Sequence, residues 1–441
     1  MKKRMKQLAA LAAVGVMVFS LAACGGNNAG GGNAGGDAGS NGAPAAADKG
    51  GGSSASGDTI KIGSVVPMTG ALAAFGHGTQ EMTDYAVKQV NDAGGIEIDG
   101  EAKQIEMVYV DSESDPQKAQ EATTKLIEGD GVQLVITSHT NDTTIPVAGA
   151  CERKGIPCLS VDTPTDAWAA ECGENEYSFH AGFNTENELN CFKDAWDKVA
   201  DSNKKIGLMY ASDVEGQELS GAITTFAQEA GYTIVDPGSY TSGDNDFSSI
   251  INKIKGEECD IICGVMVTPD FATFYTQLKS SGYMPKVVTV AKATLFSADV
   301  DAVGANGAGD GVVSEVWWTP NHPYSSSISG QTSQEIGDAW MEITGDDYAP
   351  ATAGYDYANV EIVYQVLKAA GSLDPDAIKE AAEGISFDSV IGPIKYNEQH
   401  TSIQPLVTGQ WCYQDGGWVQ EIISNTQVPE APVTAELKEL K

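Results

Sequence analysis

Histidine is scarce in this chain, with five in 441 residues. His77, His139, His180, His322 and His400 are scattered, and none lies near a cysteine at the spacing of a zinc site. No Cys-x-x-Cys, His-Glu-x-x-His, phosphate-binding loop or Gly-x-Ser-x-Gly elbow occurs, and no Gly-x-Gly-x-x-Gly follows a strand. Acids are too numerous for any pair to stand out as a catalytic acid and base. An enzyme is therefore not expected, nor a metal or cofactor. Positive charge is also scarce: 26 Lys and Arg against 61 Asp and Glu give −35. Such a chain repels phosphates and lacks a counterion-release drive, which excludes nucleic acid as a partner. No run reaches the ~18 apolar residues of a membrane span. What remains, 41% hydrophobic residues and 50 glycines, is enough for packed cores and more than one ordinary domain.

The first residues read as an address. Lys2, Lys3, Arg4 and Lys6 precede the apolar stretch Leu8 to Ala23, which has the length of a signal core and not of a span. The run ends Leu21-Ala22-Ala23-Cys24 and resembles a bacterial lipobox, in which Cys24 becomes the acylated first residue. Residues 25–57 hold 13 glycines among Ala, Ser and Asn, a composition too poor in apolar surface to order itself. The expectation is a signal peptide over 1–23 and a lipid anchor with a flexible tether over 24–57. Removing the signal's four positive charges leaves −39 (−35 − 4).

Seven further cysteines are an odd number, so at least one is unpaired. Cys259 and Cys263 sit at the two ends of a predicted strand, roughly 13 Å apart and too far to bridge. Buried thiols are expected, with a pair such as Cys172 and Cys191 left open.

From Thr59 onward, predicted strands alternate with helices. Strands are expected at 60–66, 105–110, 134–136 and 156–161, with helices between them. One of these helices starts at Asp115-Pro116, with Asp as N-cap and Pro in the first turn. After a break near 177–190 the pattern restarts: strands at 206–210, 232–235, 260–266 and 287–290 enclose helices at 219–230, 247–255 and 271–281. Such alternation implies parallel sheets covered by helices on both faces, in two lobes. A helical return follows at 334–343, 355–370 and 376–382, with last strands at 394–396 and 410–413. Ligands of open α/β sheets bind beyond the carboxyl ends of the strands, so those segments are the ones to search.

Within this frame the residues form a familiar succession: Ile60-Lys61-Ile62-Gly63, Pro67-Met68-Thr69-Gly70, Ala74-Phe75-Gly76 and Val90-Asn91-Asp92-Ala93-Gly94-Gly95-Ile96. Ser114-Asp115-Pro116, Asp246-Phe247-Ser248 and Gly392-Pro393-Ile394 follow. In order and spacing this resembles the type I solute-binding proteins of ABC transporters, the leucine/isoleucine/valine-binding branch, over roughly 60–418. The resemblance implies an α/β fold of two Rossmann-like lobes with parallel sheets, joined by three hinge crossovers near 179–183, 316–319 and 390–394. The first lobe would take 58–180 and 318–391, and the second 181–317 and 392–430, with a tail at 431–441. It also implies a small-molecule ligand and membrane permease and ATPase subunits as partners; a monomer is expected, and the signal, lipobox Cys24 and tether place the chain at the outer face of the cell membrane. A ligand-sensing receptor for a membrane signalling partner is the alternative role.

The resemblance further implies a ligand carboxylate held at first-lobe helix N-termini. Ser138-His139-Thr140-Asn141-Asp142 and Val161-Asp162-Thr163-Pro164-Thr165 match those segments. Asn141 stands where the family carries Ser or Thr, Thr163 lies on the second contact loop, and Phe75 falls at an aromatic beside the ligand. The sequence departs from the family in the second lobe. Val267 replaces a Tyr, and Lys292 falls near the acid that would hold an ammonium, so Lys292 suits an anionic ligand group or the solvent. Glu215 and Trp318 complete the candidates. The expected set is thus Phe75, His139, Thr140, Asn141, Asp162, Thr163, Glu215, Val267, Lys292 and Trp318.

Overall fold

The computed structural model describes residues 59–304 and 306–441. The signal segment, Cys24 and the tether lie outside the described residues. The chain first lays down β1 (Thr59–Val66), α1 (Thr79–Asp92), β2 (Ile96–Ile98), β3 (Glu101–Asp111) and α2 (Pro116–Lys125). A π turn carries α2 on through Asp130. Then come β4 (Leu134–Ser138), α3 (Asn141–Glu152), β5 (Cys158–Val161), α4 (Thr165–Cys172) and β6 (Ser178–Gly182). The second series is α5 (Thr185–Asp197), β7 (Lys205–Tyr210), α6 (Val214–Glu229), β8 (Thr233–Val235), α7 (Ser248–Gly256) and β9 (Ile261–Val265). It ends with α8 (Thr268–Ser280), β10 (Val287–Ala291), α9 (Ser297–Ala302) and β11 (Val313–Val316). The return is α10 (Ser333–Thr344), α11 (Ala351–Ala370), α12 (Pro375–Gly384), β12 (Phe387–Ser389), β13 (Gly392–Ile394), β14 (Thr401–Ile403), β15 (Val407–Gln414) and β16 (Gly417–Ser424).

Helix starts follow their capping residues. Asp115 accepts the Lys118 N–H at 2.9 Å at the head of α2. Asn184 and Asp213 do the same for α5 and α6 through Asn187 and Gly216. Each side-chain oxygen satisfies an N–H that has no partner in the first turn.

Two seven-stranded sheets result. The first runs β14-β6-β5-β4-β1-β3-β2 and the second β16-β15-β11-β10-β9-β7-β8. Strands within the first are parallel except for the β2–β3 hairpin. The second is parallel from β11 to β8, with β15 and β16 added antiparallel. Helices cover both faces. The central first-lobe core joins β1, β4 and β5 to α1, α10 and α11. α11 is buried nearly throughout, from Thr352 to Val363.

The sheets correct two expected boundaries. Thr401–Ile403 pairs with His180–Gly182 and so closes the edge of the first sheet. Residues 392–403 thus belong to the first lobe, and Ile391 and Ile394 lie in its core. The third crossover is accordingly Gln404 to Leu406, not 390–394, which instead forms a small antiparallel pair with β12. The tail at 431–441 is docked on the second lobe, with Thr434 N–H bonded to Ile422 O and Leu440 N–H to Lys286 O. Cys172 and Cys191 do not bridge; all seven described cysteines are buried and unpaired. No described helix is long and apolar enough to cross a membrane.

Candidate functional site

The carboxyl ends of the two sheets face each other. Phe75, after β1, meets Phe296, after β10, edge to face at 5.1 Å. Leu295 packs onto the first-lobe core. On the far side of the cleft, Tyr348 donates to Gln420 Oε1 at 2.8 Å and stands against Trp411. Three strands end at this cleft in a shared way: the next residue takes a left-handed backbone. These are His139 after β4 (φ 87), Asp162 after β5 (φ 74) and Lys292 after β10 (φ 69). That conformation is uncommon for non-glycine residues. It turns the chain sharply from each strand toward the next segment.

Two of these residues direct their side chains inward, contrary to the expectation of ligand contact. The His139 ring and the Asp162 carboxyl are wholly buried and bonded to each other, Nδ1 to Oδ2, at 2.9 Å. His139 Nε2 meets Thr79 Oγ1 at 2.7 Å and Asp356 Oδ1 at 3.3 Å. Ser138 Oγ reaches the same Asp356 oxygen at 3.4 Å. Burial pushes the Asp162 and Asp356 carboxyls well up from their ordinary range. Burial also pulls His139 down to about 3. Thr163 is sealed too, its hydroxyl 3.0 Å from His180 Nε2.

Thr140 and Asn141 stay half-buried at the head of α3. Asn141 Oδ1 is enclosed there without a hydrogen-bond partner. The N–H groups of the first α3 residues precede any acceptor within the helix, which favours an anion. Phe75 is half-buried.

Across the cleft, Glu215, Val267 and Lys292 line one recess together with Tyr240 and Met266. Lys292 Nζ donates to Glu215 Oε2 at 2.7 Å. The lysine charge thus has a carboxylate partner within the second lobe. Val267 is 38% exposed and presents an apolar patch. Trp318 is fully buried in the first-lobe core, against Gly354, where a Cβ would lie 2.3 Å from the indole. It does not reach the cleft. Its neighbour Trp317 stacks on Phe183 at 5.0 Å, at the hinge.

Several residues of the site were missed from sequence. Thr79 and Asp356 complete the His139 network, and Phe296 and Tyr348 meet the opposite lobe. Glu188 and Glu315 are buried where α5 packs over β11. Val313 faces α5 residues Leu189 and Phe192, and Glu315, two residues on, shares that face of the strand. Burial, then the Glu215 charge, raises Glu188 to about 8. Burial and then Glu188 raise Glu315. The available signal was an acid inside an apolar run: Asp356 between two tyrosines, and Glu315 between Val313 and Trp317.

Two α/β lobes, three chain crossings and a cleft between strand ends define a class: two-lobed binding proteins. The chain belongs to the periplasmic binding protein family, which matches it over residues 59–417. A Brucella melitensis Leu/Ile/Val-binding protein homologue is 24% identical over 364 residues, covering 80% of this chain and 91% of that protein. Among solved structures, the Streptococcus pneumoniae branched-chain amino acid transporter substrate binding protein LivJ, in complex with isoleucine, aligns with TM-score 0.69 and 21% identity. That alignment covers 83% of this chain and 100% of the other. A Rhodopseudomonas palustris ABC transporter solute binding protein in complex with p-hydroxybenzoic acid aligns with TM-score 0.68 and 18% identity, over 85% and 98%. The two solved proteins are described as a substrate-binding and a solute-binding protein of transporters.

Proposed function

We propose that this chain is the lipid-anchored, extracytoplasmic solute-binding component of an ABC importer. It captures a small carboxylate in the cleft between its lobes and delivers it as a monomer to permease and ATPase subunits. Cys24 would carry the lipid, and residues 25–57 would tether the receptor above the membrane. The observation that carries the reading is the head of α3. Thr140, Asn141 with its unpartnered Oδ1 and the N–H groups of Asn141 and Asp142, which precede any helical acceptor, form an anion-ready end. The carboxylate would bind at Thr140 and Asn141, aided by the backbone around Asp162 and Thr163. Phe75 would flank the ligand body, and Val267 and the Glu215–Lys292 pair would face it from the second lobe. Ligands named for the relatives, isoleucine and p-hydroxybenzoic acid, share this carboxylate and differ in the rest. A thermal-shift screen of amino acids, aromatic acids, dicarboxylates and short amides tests the proposal. A ligand at 100 times its Kd stabilises the protein by ~2.7 kcal/mol. Stabilisation by amides alone, with no carboxylate active, would refute the anion subsite.

A further inference from the structure

Four segments of the first lobe meet at one buried imidazole. Thr79 begins α1, four residues after Phe75. His139 turns β4 into α3, Asp162 turns β5 toward α4, and Asp356 comes from the middle of the buried helix α11. His139 reaches three of their side chains, at 2.7 Å, 2.9 Å and 3.3 Å. All of this lies beneath the half-open residues Thr140 and Asn141, and none of it reaches solvent. Asp162 Oδ1 and Asp356 Oδ2 have no hydrogen-bond partner, so each carboxyl is held by one oxygen aimed at the same centre.

A buried polar group costs free energy unless it is bonded, and a network left half satisfied is worse than an apolar core. A protein needing only a packed core at this point could have used apolar side chains. The geometry here does something an apolar cluster cannot. It fixes the direction of two left-handed turns relative to each other, because an imidazole offers two bonding atoms at a set angle. The proton count is compatible with deep burial. Two carboxyls and one imidazole holding three protons carry no net charge, whether all are neutral or one acid has protonated the ring. Other ionisable groups packed around the network are Glu81 on α1, which is exposed, Tyr109 on β3 and Tyr355 on α11. Burial raises both tyrosines, which keeps them uncharged.

We propose that Thr79, His139, Asp162 and Asp356 form a positioning network that locks the β4–α3 and β5–α4 turns together and to the head of α1, so that ligand affinity depends on it and not stability alone. This rests on the cleft reading above, since the turns it aims are those assigned to the carboxylate. None of the four side chains touches the ligand; they act through Thr140, Asn141 and the backbone at Thr163.

The test uses two carboxylate probes of different shape, L-isoleucine and 4-hydroxybenzoate, titrated calorimetrically into the wild type and the variants His139→Ala, Asp162→Ala, Asp162→Asn and Thr79→Val. Hydrogen exchange of residues 139–144 and 162–166 is followed in the same proteins without ligand. Removing a bond should weaken the bound probe about tenfold in His139→Ala and Asp162→Ala. Asp162→Asn should restore affinity to within about twofold, because Asn still offers His139 an acceptor oxygen. Exchange in both segments should speed up in the alanine variants. Thr79→Val, which leaves the Asp162 bond in place, carries the comparison if His139→Ala does not fold. Unchanged probe affinity with only a lower melting temperature would make the network a stability element and overturn the proposal. If the wild type binds neither probe, the carboxylate reading of the cleft fails for these ligands and the exchange data decide alone. Faster exchange in both segments then upholds the coupling of the turns, and unchanged exchange overturns it.

Discussion

Replacing Glu188 with Gln should make the protein more stable, and only at neutral to alkaline pH. Glu188 is 5% exposed and sits with Glu315 under the first turns of α5. Its folded-state pKa is raised from 4.5 to about 8, by burial first and then by the charges of Glu215 and Asp166. The sign follows from proton binding. Between the unfolded value and the folded one, the folded state holds a proton that the unfolded chain has released. Stability from this group is therefore complete below 4.5 and falls as pH rises toward 8. One pKa unit corresponds to about 1.4 kcal/mol. The span from 4.5 to about 8 thus costs about 4–5 kcal/mol in full, and about 3 kcal/mol of it is already lost at pH 7. Gln keeps the shape and removes the titration. Because Glu315 loses its like-charged neighbour at the same time, the gain belongs to the pair. Urea unfolding at pH 5, 7 and 8.5 should show near-equal midpoints at pH 5 and a variant more stable by about 2–4 kcal/mol at pH 8.5. Parallel stability curves across this range, or a variant less stable at pH 8.5, would refute the reasoning.

Three further outcomes are expected. Asn141→Ala should weaken any carboxylate ligand about tenfold, or 1.4 kcal/mol, in calorimetry, and an unchanged Kd would remove Asn141 from the subsite. Trp318→Ala should cost about 3–5 kcal/mol of unfolding free energy by emptying a buried indole site, with ligand affinity of the folded protein unaltered; a large change in Kd would return Trp318 to the cleft. Reductant should leave the melting temperature unchanged, because the described cysteines are all unpaired, and a downward shift would reveal a disulfide.

The alternating strands and helices were legible because buried parallel strands are short apolar runs bounded by caps and glycines. Asp115-Pro116 announced α2 by side-chain chemistry alone. The pieces lost were those fixed by partners far away in sequence. β14 holds only three residues, Thr401–Ile403, and becomes a strand because His180–Gly182 offers an open edge. β2 depends similarly on β3. The hinge was placed too early at 390–394 because Gly392-Pro393-Ile394 reads as a family motif, whereas the sheet edge, not the motif, decides where the chain leaves. Within the site, the segments were readable and the side-chain directions were not. A left-handed turn at a non-glycine residue leaves no pattern in sequence, yet it sends His139 and Asp162 inward and leaves the cleft to their neighbours. Lys292 drew notice as an odd charge, but its partner Glu215 lies 77 residues away, and that pairing is a property of the fold.

The three crossings are bound to one another more firmly than the lobes are bound across the cleft. Gln404 N–H donates to Gly182 O at 2.7 Å. Asn187 Nδ2 donates to Gln404 O at 3.0 Å, and Gln427 Nε2 to Asn187 O at 2.8 Å. Phe183 stacks on Trp317, so the first and second crossings share an aromatic contact while the first and third share hydrogen bonds. A rotation that kept this bundle intact would part the Phe75–Phe296 edge contact and the Tyr348–Gln420 hydrogen bond. An aromatic pair contributes about 0.5–1.5 kcal/mol and a net hydrogen bond about the same. Together with Leu295 on the first-lobe core and Tyr348 against Trp411, those contacts hold the lobes together by only several kcal/mol. A ligand held as proposed, between Asn141 and the second-lobe recess, would need to add only a comparable differential affinity to set the population. On the proposed function, the ligand would govern closure because the hinge is tied together and the cleft edges are not.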